Sequence, residues 1–101
     1  MMLPIHVRMA RAALGWTNQE LADRAQINLN TVARYEAGRE VKSRTIESIE
    51  SVFTAAGVVL IYEDAQGGIG VRLTRELTHR MRQAGQTPKR ASSGKRSQKT
   101  K

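Results

Sequence analysis

Two helix-start signals stand very close together in this chain, and their spacing narrows the arrangements that can follow. Thr17-Asn18-Gln19-Glu20 reads as a capping box, in which the Thr17 hydroxyl accepts from the Glu20 N–H and the Glu20 carboxylate reaches back to the Thr17 N–H. Trp16 and Leu21 flank it as a hydrophobic staple, and a helix over 18–25 follows with Leu21, Ala22 and Ala25 inward. Three residues later Asn28 is a good N-cap, with Ile27 and Val32 as a second staple, and a helix running to Ala37 is closed by Gly38. Helices joined this tightly cannot lie antiparallel. They cross steeply as a helix-turn-helix, with Ala22 as the small residue at the close approach. An ordinary helical hairpin is the alternative, and the agreement of caps, staples and small residue weighs against it.

The flanking segments supply the remaining layers. Pro4 fits the first turn of a helix whose Val7, Ala10, Ala13 and Leu14 share a face, and Gly15 ends it. A polar, mainly basic loop spans 39–44, and a fourth helix over 44–56 carries a stripe of Ile46, Ile49, Val52, Phe53 and Ala56 before Gly57. The period then becomes extended: Val58 to Tyr62 and Ile69 to Leu73 read as strands around a turn-rich 63–68. The glycines at 67, 68 and 70 belong to that hairpin, since no helix start follows them to receive a phosphate. A lone hairpin is marginal in water, so strand 58–62 must be covered by the chain's own helices or by the same strand of a second copy. Residues 74–85 form a short final helix with Leu73, Leu77, Met81 and Ala84 on one side. The expected fold is mainly α. It comprises a four-helix domain (1–57), a β-hairpin that makes a dimer contact (58–73), the short helix (74–85) and a disordered basic tail (86–101).

Composition excludes several function classes. A length of 101 residues leaves room for one core. There is no cysteine, so disulfides, thiolate metal sites and a Cys nucleophile are ruled out. The longest apolar run, Val58 to Tyr62, is far short of the roughly 20 residues of a spanning helix. Met1 to His6 shows no secretory pattern, and the expected location is cytoplasmic, with no membrane partner. Of the net charge of +8, residues 86–101 hold +6, while residues 1–85 have 11 basic and 9 acidic side chains. The tail reads as a sequence-independent phosphate-binding arm or as a solubilising end. No catalytic constellation, metal set or cofactor motif appears. His6 and His79 lie in different elements and read as isolated surface histidines, and Glu47 and Glu50 read as a solvated helix face. Trp16, Tyr35, Phe53 and Tyr62 are too scattered to stack single-stranded bases.

The text TNQELADRAQINLNTVARYEAGRE, from Thr17 onward, resembles the lambda-repressor-like, XRE-type helix-turn-helix family of regulators in its L-A…T-[IV]-x-x-x-E-x-G pattern. The likeness covers about residues 4–56, and the segment AAGVVLIYEDAQGGIGVRL resembles a small subgroup ending in a strand pair. It implies a third helix entering the major groove of duplex DNA, with Leu29, Asn30 and Arg34 toward base edges. It also implies phosphate or buttressing roles for Asn18, Gln19 and Thr31, and an ion pair of Arg11 with Glu36 tying the first helix to the third. The chain departs from the family at Gln26, where the left-handed turn residue is usually glycine.

The residues themselves are consistent with that role. Asn30 and Arg34 share a helix face. Arg34 can fork onto guanine O6 and N7, Asn30 onto adenine N6 and N7, and Leu29 can pack on a thymine methyl. Arg39, Lys42 and Arg44 are the phosphate candidates of the loop. One such module reads few base pairs, so the expected form is a homodimer on a pseudo-palindromic operator, acting as a repressor and joined through strand 58–62, so that lysine at Leu60 or Ile61 should give a monomer. The alternative function is an antitoxin-type regulator that binds a toxin protein and its own promoter.

Overall fold

A computed structural model describes residues 1–85; the tail predicted over 86–101 lies outside the described residues. The elements in chain order are α1 (Pro4–Leu14), α2 (Asn18–Ala25), α3 (Leu29–Glu36), α4 (Ser43–Ala56), β1 (Val58–Ile61), β2 (Gly70–Leu73) and α5 (Arg75–Gln83). The order and type match the sequence expectation, with ends differing by one or two residues. The helical unit carries the core: Val7 and Ala10 of α1, Leu21 and Ala22 of α2, Val32 of α3, and Ile49 and Phe53 of α4 are all fully buried. Trp16 stacks on Phe53 at 6.1 Å between ring centroids and carries the Arg24 guanidinium on its ring at 4.4 Å, joining the start of α2 to α4.

The local signals operate as their chemistry requires. Thr17 Oγ1 accepts from the Glu20 N–H at 3.0 Å, and Glu20 Oε1 accepts from the Thr17 N–H at 2.8 Å. Asn28 caps α3 by accepting from the Asn30 N–H at 2.7 Å. Between the two helices Gln26 sits at φ 57° and ψ 46°, the sole non-glycine with positive φ among the described residues. A side chain there costs about 1–2 kcal/mol, while glycine adds roughly 0.5–1 kcal/mol of unfolded-state entropy. Gln26→Gly is therefore expected to raise stability by up to about 1 kcal/mol, read as a higher denaturation midpoint at unchanged slope. A lower midpoint would show that the Gln26 side chain stabilises the turn.

The sheet closes the open side of the helices. β1 and β2 are antiparallel with Val58 opposite Leu73 and Ile61 opposite Gly70. Val58 is buried and Leu60 half-buried, whereas Val59 and Ile61 are exposed, so alternate residues face the helices and the outside. Gly57, at φ 101°, could not carry a Cβ: that atom would lie 2.9 Å from Leu77 Cβ, because α5 docks there through its buried Leu77. Met81 of α5 is half-buried and Ala84 exposed, so the expected inward stripe of α5 stops short of Ala84.

Three expectations are corrected. His6 is not a surface histidine; it is fully buried. Its Nδ1 accepts from the Leu3 N–H at 2.9 Å and its Nε2 lies 2.8 Å from the Ile61 carbonyl, so the α1 start is bonded to the end of β1. Donation to a carbonyl requires the proton on Nε2, which leaves Nδ1 as the acceptor for Leu3. Glu50 is half-buried and meets the Tyr62 hydroxyl at 3.5 Å instead of standing free in solvent. Leu60 faces inward, so lysine there would disturb the packing as well as a strand contact, and of the two positions offered for that substitution only Ile61 is on the outer face.

Candidate nucleic-acid interface

The face that could meet DNA is assembled around α3, and its orientation is set from below. Val32 and Tyr35 are the buried residues of α3. The Tyr35 hydroxyl donates to the Met2 carbonyl at 2.7 Å, and burial, with Glu50 and Tyr62 nearby, pushes the phenol above its ordinary range, which keeps it a donor. At the end of α3 Arg11 grips Glu36 with two bonds, Nε to Oε2 at 2.8 Å and Nη2 to Oε1 at 3.1 Å. The Glu36 side chain is 9% exposed and that of Arg11 20%, so the pair is largely withdrawn from solvent. A third Arg11 bond, from Nη1 to the Trp16 carbonyl at 3.2 Å, links the same guanidinium to the start of α2. Arg8 adds its Nη2 to the Glu36 carbonyl at 3.3 Å, a contact with no signal in the sequence pattern. With its inner face fixed by three elements, α3 cannot roll.

The opposite side of α3 is therefore held outward. Leu29 is 40% exposed, and Asn30 and Arg34 are exposed. Thr31 and Arg34 line an open cleft of about 670 Å³ together with Lys42, Ser43 and Thr45 at the start of α4. Glu40 also lines it, and its carbonyl receives the Arg34 Nη2 at 3.5 Å. Lys42 is the N-cap residue of α4 without a side-chain cap, and no acid occupies the first turn, so the first amides of α4 are not met by a carboxylate. Arg39 and Arg44 are exposed near this cleft in sequence but do not line it.

At the start of α2 the two proposed polar residues differ. Gln19 Nε2 is engaged by Asp23 Oδ1 at 2.9 Å. Asn18 Oδ1 is buried without a hydrogen-bond partner, which leaves the amide nitrogen as the group Asn18 can present. No group of three His, Asp or Glu converges to hold a metal ion among the described residues. Nor is any helix among them long and apolar enough to cross a membrane.

The surface is a protruding helix face beside a cationic cleft, a shape suited to a grooved polyanion. A family model described as helix-turn-helix matches residues 7–54, from the core face of α1 into the last turn of α4. No curated protein matches the chain.

Proposed function

This chain belongs, through residues 7–54, to the lambda-repressor-like, XRE-type helix-turn-helix family of DNA-binding transcription regulators, and from that premise we propose that it is a repressor that reads a pseudo-palindromic operator as a homodimer. In this reading α3 lies in the major groove, with Arg34 on a guanine, Asn30 on an adenine and Leu29 against a thymine methyl. Lys42, Arg39 and Arg44 neutralise flanking phosphates, helped by hydrogen bonds from Thr31, from the first amides of α4 and from Asn18 and Gln19 at the start of α2. Repression then follows from occupancy: a protein seated across promoter DNA excludes polymerase.

The observation that supports it best is the outward first half of α3. An exposed leucine beside an asparagine whose side chain bonds to nothing among the described residues is poor design for a water-facing helix. It suits a surface that base edges will cover. The domains proposed around this unit follow the same logic, with 1–57 reading DNA, 58–73 joining two copies and 74–85 packing behind them.

Selection of bound duplexes from random DNA, repeated with Arg34→Ala and with Lys42→Ala, tests the assignment. Arg34→Ala is expected to relax preference at one base position per half-site, at a cost of about 1–3 kcal/mol. Lys42→Ala is expected to weaken all sequences alike and to lower the salt slope by about 0.9 for each copy bound. Unchanged base preference in the Arg34 variant would remove that residue from the reading face.

A further inference from the structure

The net positive charge of this protein lies outside its helix-turn-helix unit. Of the 17 Lys and Arg, ten fall in residues 72–101, against a single acid, Glu76. Residues 1–71, which contain the whole matched domain, hold seven basic and eight acidic side chains and are net −1. A domain of that balance gains little from the non-specific attraction that carries most such proteins to DNA. The missing attraction must come from downstream.

The described part of that downstream segment is already organised. Arg72 of β2 and Arg75 and Arg82 of α5 line one open cleft of about 690 Å³, with Thr78 and His79 beside them and no carboxylate in its wall. Glu76 lines the neighbouring cleft with Arg80, and Arg75 and His79 border both clefts. Neither a salt bridge nor a side-chain hydrogen bond engages Arg72, Arg75 or Arg82 among the described residues. Arg72 stands opposite Val59 in the sheet register, on its outer face. Three guanidinium groups held on the end of a strand and a docked helix repel one another, and an anion relieves that repulsion.

The cleft sits away from the reading face. α5 packs on Gly57, at the C-terminal end of α4, while Lys42 and the first cleft lie at its N-terminal end. The 14 residues of α4 span about 21 Å at a rise of about 1.5 Å per residue. A groove open to solvent and lined by forked cations fits a run of phosphodiesters better than a small enclosed ligand.

We propose that the Arg72–Arg75–Arg82 cleft is a second, sequence-independent site for the sugar-phosphate backbone of duplex DNA, at the opposite end of α4 from the recognition helix. The backbone can come from a bent flank of the operator duplex or from a second duplex. The full chain and a triple variant, Arg72→Gln with Arg75→Gln and Arg82→Gln, should be titrated with a random-sequence duplex across a salt series. The triple variant is expected to keep the melting temperature and base preference of the parent. It should lose about tenfold or more in random-duplex affinity at low salt, with a salt slope smaller by about two to three. Two arms distinguish the sources. Capture of a second labelled duplex by protein already on an operator indicates bridging, whereas an affinity that grows with flank length indicates the same duplex. An unchanged slope, or one that falls only when residues 86–101 are removed, overturns the proposal. The readout is independent of the reading face, since failure of Arg34→Ala to change base preference would leave the random-duplex result untouched.

Discussion

Replacing His6 by alanine is expected to cost about 3–5 kcal/mol, a large share of the roughly 5–15 kcal/mol that holds a domain of this size. The imidazole is fully buried and spans two backbone groups, the Leu3 N–H at 2.9 Å and the Ile61 carbonyl at 2.8 Å. Alanine leaves both groups without their partner, at about 1–3 kcal/mol each where water cannot replace it. It also leaves a void where the ring meets Tyr62 at 5.5 Å between centroids. His6→Asn separates the two roles. Its short amide can still accept from the Leu3 N–H in the manner of an N3 capping residue, but it cannot reach Ile61. Chemical denaturation should therefore place Asn between the parent and Ala. A loss below about 1 kcal/mol for His6→Ala would mean that the strap between α1 and β1 contributes little.

That strap shows why the sequence was legible in some places and not in others. Caps and staples are encoded within a few residues, so Thr17 and Asn28 announce the helix-turn-helix directly, and the structure places each as its chemistry demands, whereas the left-handed turn at Gln26 entered only through family likeness. The Arg11–Glu36 pair links residues 25 apart and entered only through family likeness, because no local period relates the first helix to the third. His6 and Ile61 are 55 apart, and a single histidine on a helix carries no mark of the carbonyl it will meet. Met2 is similar: it is almost fully buried and fixed by Tyr35, a partner 33 residues away. The two faces of β1 went unassigned for a simpler reason. Alternation identifies two faces of a strand but not which one is inner, and in β1 the inner face begins at Val58. The first cationic cleft was legible only in part, since Arg34 and Lys42 come from separate elements, and the second was not read at all, its Arg72 and Arg82 being likewise split between a strand and a helix.

The geometry of β1 turns the expectation of a strand-paired dimer into a defined register. The Thr74 N–H donates to the Gly57 carbonyl at 2.8 Å, so by alternation the backbone groups of Val58 and Leu60 point away from β2. When only residues of β1 itself take part, a symmetry mate satisfies both residues with Val58 of one copy opposite Leu60 of the other and the two-fold axis at Val59. The two Val59 residues then form a non-hydrogen-bonded pair, with Cα atoms about 4.5 Å apart. Their side chains are 45% exposed in the single chain and would cover each other. A disulfide tolerates Cα separations of about 4.4–6.8 Å, and this chain has no other cysteine to confuse the result. Val59→Cys is therefore expected to cross-link into a dimer under mild oxidation. Ile61→Cys, four residues out of register at about 3.4 Å each, is expected to stay uncross-linked. Val59→Lys should have the largest effect on function. Two ammonium groups would face each other across the axis with Arg72 beside each, the pair would separate, and operator binding would lose the bivalent gain, on the order of 10²–10⁴. Equal cross-linking at positions 59 and 61, or a Val59→Lys protein that still sediments as a dimer, would place the two-fold contact on another surface.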